Sequence, residues 1–407
     1  MVRIILIAVM FQHVLGQDSL QTQGNRLNQS DITLLLSYYD QDGDQSAVTG
    51  GTGTEKLKVY SVKYGYRRAV SPHTALHLDL GIDVISSAST DHIDFNMSSA
   101  SKKDGHETIA VGFSRKGPRA PVEYGVKLNG SLESDYLSRG IDIWMNRRQE
   151  LTTYGFQFKM FFADLRWGWL NKPYLKPSHL IYPAELRDTA WFDSAHRSSY
   201  NLFFLYQRAL APDLSIGIYP AMILQRGLLS TPFHRVYFAG VQRPAVERLP
   251  KRRRSASLSI RVNKQFANSG VLRSLYQVYL DNFGMVSHTL QCALPLRLSP
   301  RIVISPSARI FHQSASEYFA PFNTHVAGTQ FYTSDHDLSR FWSTNVGLQI
   351  SMRRRPTDRA TGVWSTPAFS IRYAYYRRTG GLHAHVLTTL FRWDREDLFI
   401  KRVKPTP

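Results

Sequence analysis

The chain is nearly devoid of cysteine. Cys292 stands alone among 407 residues, so no intrachain disulfide can form. It lies in the strand-like run Thr289-Leu-Gln-Cys-Ala-Leu294, where a small apolar side chain facing core or lipid is the expected role. Long apolar runs are also missing. After the first sixteen residues nothing approaches the roughly 18 apolar residues of a spanning helix, which excludes a helical membrane bundle. No stretch carries the 3.6-residue periodicity of an amphipathic helix. Acid is scarce as well: 31 Asp and Glu face 50 Lys and Arg, a net charge of +19. Such an excess raises the question of nucleic acid. The basic residues, however, are spread over strand ends and loops, with no Lys/Arg-rich helix, zinc-ligand spacing or RNA-binding sheet signature. Nucleic acid is therefore not an expected partner, whereas anionic lipid headgroups and anionic solutes in a pore are.

What the chain has in quantity is aromatic rings and period-2 alternation. Aromatics make up 12%, with 21 Tyr, 22 Phe and 7 Trp, a composition suited to sheets and to membrane–water interfaces. The clearest strand runs from Thr74 to Val84. Leu76, Leu78, Leu80, Ile82 and Val84 lie on one face, and Ala75, His77, Asp79, Gly81 and Asp83 on the other, because successive strand side chains point to opposite sides. About sixteen such strands are predicted. They are 31–40, 56–68, 74–85, 107–116, 122–132, 136–147, 151–167, 200–210, 214–227, 255–266, 271–284, 287–298, 302–313, 341–353, 367–378 and 382–393. Roughly ten residues is the length a tilted membrane strand needs. Strand 56–68 slips phase near Val62, which predicts a bulge. Pro220 and Pro306 fall inside strands, where a missing N–H weakens the ladder.

The connections alternate in length. Those after even strands are tight, built on Pro, Gly, Asn and Asp, with 354–366 the one of middling length. The long ones, 41–55, 86–106, 168–199, 228–254 and 314–340, follow odd strands, although three other odd connections are short. Short turns on one side and long loops on the other predict a single all-β antiparallel outer-membrane barrel of about sixteen strands (fourteen as the alternative), both termini on the periplasmic side. Its expected lumen-facing polar residues include His77, Asp79, Asp83, Glu123, Lys127, Gln349 and Arg353. Tyr64, Tyr66, Trp167, Trp342, Tyr375, Tyr376 and Trp393 are expected in the interface girdles.

The expected organisation is a signal peptide at 1–16, a periplasmic segment at 17–30, the barrel at 31–393 and a tail at 394–407. Arg3, the apolar run Ile4–Phe11 and the small Val14 and Gly16 form the export signal.

Asp40, Asp42 and Asp44 alternate around Gly43 like ligands of a hard cation, which makes calcium the one cofactor to consider. The glycine and the twelfth position do not fit an EF-hand, and a solvated turn explains the run equally. Asp335-His-Asp337 is a weaker cation candidate, and His383 with His385 share a strand face without a third ligand. Ser86–Asp94 combines Ser, His and Asp, but no nucleophile elbow surrounds it, so no catalytic residue is assigned. Lys251, Arg252, Arg253 and Arg254 form a basic outer rim suited to lipopolysaccharide phosphates, and Arg353-Arg-Arg355 a second cluster near the periplasmic rim suited to phosphate-bearing lipid headgroups; solvated rim charge explains each equally.

Several motifs together resemble an uncharacterised bacterial family catalogued as a domain of unknown function. They are Tyr38-Tyr39 with Asp42–Gly51, Asp83–Asp94, Tyr182–Arg187, Phe233–Phe238, Leu249–Arg254, Tyr279–Gly284 with Ser287-His-Thr289, Phe311–Ser316 and Phe331–Asp335. The resemblance implies an exported outer-membrane barrel, and by its setting a link to envelope redox biology or electron transfer. It brings no activity. A pore, a transporter or a structural part of an envelope complex with protein partners is the expected function. A barrel enzyme with a loop-borne hydrolase site, and a soluble secreted all-β binding protein, are the alternatives. The chain runs past Trp393 to Pro407, which leaves open whether the last strand is misplaced or the tail is an extension.

Overall fold

The computed structural model describes residues 29–87, 103–117, 121–133, 136–165, 196–231, 234–266, 270–352 and 368–396. Nineteen strands follow one another, with only two single-turn 3-10 helices among the described residues, Ala47–Thr49 and His336–Leu338. The first nine are β1 (Gln29–Asp42), β2 (Leu57–Ala69), β3 (Thr74–Ser87), β4 (Lys103–Lys116), β5 (Val122–Glu133), β6 (Tyr136–Gln149), β7 (Thr152–Leu165), β8 (His196–Ala211) and β9 (Leu214–Gly227). Two short strands follow, β10 (Arg235–Val236) and β11 (Ala245–Val246). The remainder are β12 (Arg252–Phe266), β13 (Gly270–Asp281), β14 (Val286–Ala293), β15 (Leu296–Arg297), β16 (Ile302–Gln313), β17 (Phe341–Met352), β18 (Ala368–Arg378) and β19 (His383–Glu396).

Each long strand pairs antiparallel with its neighbours, β9 meets β12, and β19 returns to β1 over fourteen residue pairs from Gln29↔Glu396 to Asp42↔His383. The sheet is therefore closed. β14 and β15 are two pieces of one stave, so the barrel has sixteen. The last strand sits where the sequence places it, since β19 makes the closing seam.

Prolines stand at two of the irregularities in the ladder; a third, between Ala209 and Ala211 of β8, is a register shift. Pro306 turns its carbonyl toward Leu294, which donates its N–H at 2.9 Å. The N–H that proline lacks would have pointed the same way, and the stave breaks between Ala293 and Leu296, where Pro295 removes a second N–H. Opposite Pro220 the β8–β9 pairing lapses between Phe203↔Ala221 and Tyr206↔Ile218.

One face of every stave is apolar and bare. Ile82 is 54% exposed, Leu128 65% and Val346 60%, values that no soluble core produces over a whole circumference. Leu76, Leu80, Val84, Ile109, Val111 and Phe113 continue this belt. Rings flank it. His312 and Trp342 lie 4.3 Å apart and Tyr38 and Tyr60 5.1 Å apart toward the long-loop end, and Phe391 stacks on Trp393 toward the other. A closed sheet with an oily outside and aromatic girdles satisfies all its backbone groups in hydrocarbon. The protein is an outer-membrane β-barrel.

Two expectations are corrected. β2 has no bulge, since its register against β1 and β3 is continuous. The apparent slip arises because Leu57 and Val59 turn inward and are buried with Ile85 and Tyr39. Tyr376 does not join a girdle. It follows the outward Tyr375, so alternation points it into the barrel, where it is half-buried. The signal peptide (1–16), Trp167 and the tail beyond 396 lie outside the described residues.

Candidate functional site

The inner face divides into a wall and a mouth. Along the wall, register sets His77, Asp79, Asp83, Glu123, Lys127 and Gln349 on the side opposite the bare apolar belt. Lys127 Nζ donates to Asp79 at 2.7 Å across β4. His106 stands between Asp83 at 3.0 Å and Glu133 at 3.5 Å. His77 Nε2 lies 2.9 Å from the Ser114 hydroxyl, edge-on to Trp144. Glu123 is level with Lys116, and Gln349 donates to the Ser351 hydroxyl at 3.0 Å. Arg353 lies outside the described residues.

The wall is asymmetric in charge. Inward Asp31, Asp79, Asp83, Glu133 and Asp142 on β1–β6 meet Arg67, Lys127, His106 and Lys159 in ion pairs at 2.7–3.7 Å. On β12–β18 the inward residues include Arg261, Arg273, Arg309 and Arg372. Among the described residues of those strands Asp281 is the sole inward carboxylate, and it sits at the long-loop end held by Arg253.

At the mouth, loops 43–56, 228–251 and 314–340 fold together into a cap. The β10–β11 hairpin and the bridges Phe238↔His325, Arg248↔Tyr332 and Phe319↔Thr333 give it a backbone frame. Val236, Phe238 and Ala245 pack with Tyr332, and Leu229, Leu249 and Phe283 with Tyr318 and Leu338. Gly51, at φ 92°, brings the first loop against this frame; a Cβ there would lie 2.8 Å from the Ser334 carbonyl, so both dihedral and space demand glycine.

A line of buried charge crosses the cap. Arg378, at the mouth end of β18, donates to Asp337 Oδ1 at 2.7 Å and stands 3.9 Å from Glu55. Arg378 and Glu55 are only 3% and 4% exposed. Burial pushes the Glu55 carboxyl up to about 7, against the pull of Arg378. Asp337 is raised by burial and by the charge of Asp335. Asp335 accepts the Asp337 N–H at 2.9 Å, capping the helix His336–Leu338. Its other oxygen lies 3.7 Å from His234 Nδ1, which is 3.3 Å from Glu247 Oε1. Glu247 also accepts the Thr231 N–H and the Thr333 hydroxyl, each at 2.6 Å. Burial opposes charge on His234 and Glu247, but each outweighs it for the other, so the imidazole is raised and the carboxyl lowered.

The Asp335-His-Asp337 motif is thus split between two partners, Asp335 toward His234 and Asp337 toward Arg378. Sequence reasoning missed His234, Glu247, Glu55 and Arg378; Phe233–Phe238 and Asp335-His-Asp337 were visible as separate motifs, but nothing local joins them. The aspartates near Gly43 are dispersed. Asp40 accepts from Tyr38 and faces Lys58, Asp42 faces Lys56 and accepts the Gly43 N–H, and Asp44 is exposed. The basic run also divides. Lys251, Arg252 and Arg254 are exposed, Arg252 and Arg254 on the outward face of β12, whereas Arg253 turns in to Asp281. His383 and His385 face outward beside Tyr375. Of Ser86–Asp94, only Ser86 and Ser87 lie within the described residues.

Solved structures similar to this chain include the following three. OccK5 (OpdH) of Pseudomonas aeruginosa is 8% identical, with 91% of this chain and 99% of that chain covered and a TM-score of 0.42. A BenF-like porin of Pseudomonas fluorescens is 8% identical over 90% and 99%, with a TM-score of 0.41. The TodX monoaromatic hydrocarbon channel is 8% identical over 91% of each chain, also at 0.41. No curated protein matches the sequence. A family model matches residues 118–387, more than half of the sequence, and the chain belongs to that family, described as Protein of unknown function (DUF3570).

Proposed function

We propose that the barrel is a passive, non-catalytic pore for small anionic solutes, with the cap as its gate. The observation that carries this reading is the wall of β12–β18. Inward Arg261, Arg309 and Arg372 line it, and its one inward carboxylate among the described residues, Asp281, is held by Arg253 at the mouth. A fixed positive wall in a confined, partly desolvated lumen favours anions and disfavours cations. The opposite wall carries paired acid and base, which adds polarity with little net field.

The outer rim supports a second contact. Arg226, Arg252 and Arg254 project outward side by side at the long-loop end of β9 and β12, at the height of phosphate-bearing lipid headgroups. Lipopolysaccharide phosphates suit the guanidinium geometry there.

The test is a planar-bilayer recording in a salt gradient. An anion-selective reversal potential is expected, moving toward zero in the triple variant Arg261→Gln, Arg309→Gln, Arg372→Gln. Cation selectivity in the wild type would overturn the reading.

A further inference from the structure

Within the cap, three ligand groups converge from two loops far apart in sequence. One ligand atom each from His234, Glu247 and Asp335 lies within 4.8 Å of the other two, the one such trio of His, Cys and acidic side chains among the described residues. His234 is 8% exposed and Glu247 2%, so this is an interior cluster and not a group of surface acids.

A proton can serve only one of the two carboxylates at a time. Nδ1 carries at most one hydrogen, yet it faces two carboxylates, at 3.3 and 3.7 Å. Charge-assisted N–H···O bonds are shorter, about 2.7–2.9 Å. The two edges from Nδ1, 3.3 and 3.7 Å, are close to those of an ion held between the three. Zinc bonds to imidazole N and carboxylate O of about 2.0–2.2 Å imply tetrahedral edges of roughly 3.3–3.6 Å. The outer shell is in place as well. Glu247 is fixed by the Thr231 N–H and the Thr333 hydroxyl, and Asp335 spends its other oxygen on the Asp337 N–H. Metal-binding carboxylates are oriented in this way by their neighbours. Asp335 remains partly open, with a side chain 19% exposed, which leaves a route for an ion and a water ligand.

We propose that His234, Glu247 and Asp335 bind a divalent transition metal of the zinc class, a water taking the fourth position. One imidazole with two carboxylates is the donor set of zinc and its neighbours, while calcium takes oxygen alone. The ion ties the β10–β11 hairpin to loop 314–340 and so fastens the gate over the lumen.

The experiment uses the full chain folded in detergent, stripped with EDTA and titrated with zinc chloride. Stoichiometry is read by elemental analysis, and cleavage of the cap by limited proteolysis. One zinc per wild-type barrel is expected, with slower cleavage of 228–251 in its presence. Loss of a direct ligand in His234→Ala or Asp335→Asn weakens binding by at least about 100-fold, the upper range for removal of a mere supporting residue. The outward-facing double variant His383→Ala, His385→Ala keeps wild-type binding. Heat-modifiable gel migration verifies that each variant is a folded barrel; where His234→Ala fails to fold, Asp335→Asn carries the test. Zinc bound equally by the wild type and the folded ligand variants, or not bound by the wild type, overturns the proposal.

Discussion

The same staves bury opposite things at their two levels. Midway along the barrel, inward side chains are polar and half-exposed, and they pair across neighbouring strands, as Lys127 does with Asp79. At the mouth, Leu57, Val59 and Ile85 turn inward and pack with Tyr39, and Gln41 beside them is buried with its amide bonded to the Glu55 carbonyl. Charge behaves differently too. Asp79 is half-exposed, whereas Arg378 and Glu55 are almost wholly enclosed. The wall is a surface that water maintains, while the mouth is a small globular core built inside a membrane protein. Charges in the first are cheap to change, and charges in the second are not.

The sharpest way to break this contrast is Arg378→Ala. It leaves Asp337 and Glu55 buried without their cation, which costs about 3–5 kcal/mol. The cap is expected to be cleaved rapidly at 228–251 and 314–340 while gel migration still reports a closed barrel. If cap and barrel fail together, they are one cooperative unit and the distinction is lost.

A second contrast sets outside against inside. Leu128 faces lipid near the middle of β5, and Asn129 faces the lumen. Leu128→Arg is expected to cost about 2–4 kcal/mol of barrel stability, read as a lower urea midpoint in lipid vesicles. Asn129→Arg is expected to leave the midpoint nearly unchanged.

The pH response separates the regions again. Glu55 has its folded pKa raised to about 7 from an ordinary 4.5. Its protonated form is the one the cap favours. Stability is therefore highest below the unfolded value and falls as pH rises from about 4.5 to about 7, by at most about 3 kcal/mol. Cap proteolysis should be slower at pH 5 than at pH 8, and Glu55→Gln should flatten that difference. An unchanged pH dependence in the variant would assign the effect to another group.

The smallest effect belongs to the wall. Asp79→Asn breaks a partly exposed pair with Lys127 and is expected to cost no more than about 1 kcal/mol. Its readout is a slight gain in anion selectivity, because Lys127 loses its counter-charge.

These levels also differ in what the sequence reveals. The staves were legible because alternation is local: Leu76 to Val84 faces out and His77 to Asp83 faces in without reference to any distant residue. Loop parity then gave the barrel and its orientation. Misreadings occurred where the cap reaches the staves. The phase change at Val62 looked like a bulge because Leu57 and Val59 answer to loops far along the chain. Tyr376 looked like a girdle residue, although its odd-even position beside Tyr375 already pointed it inward. His234, Glu247 and Asp335 lie in two loops, and their meeting depends on how the hairpin β10–β11 folds over loop 314–340. No periodicity reports such a meeting. Asp40, Asp42 and Asp44 had the more ligand-like spacing, yet two of them point outward from a strand toward lysines.

The contrast between a cationic wall and a buried cap meets most directly in single-channel recording of the wild type and Arg378→Ala in the same bilayer. Anion selectivity in both, with higher open conductance or open probability in the variant, is the predicted result. Cation selectivity, or a variant indistinguishable from the wild type, would contradict a cap-gated anion pore.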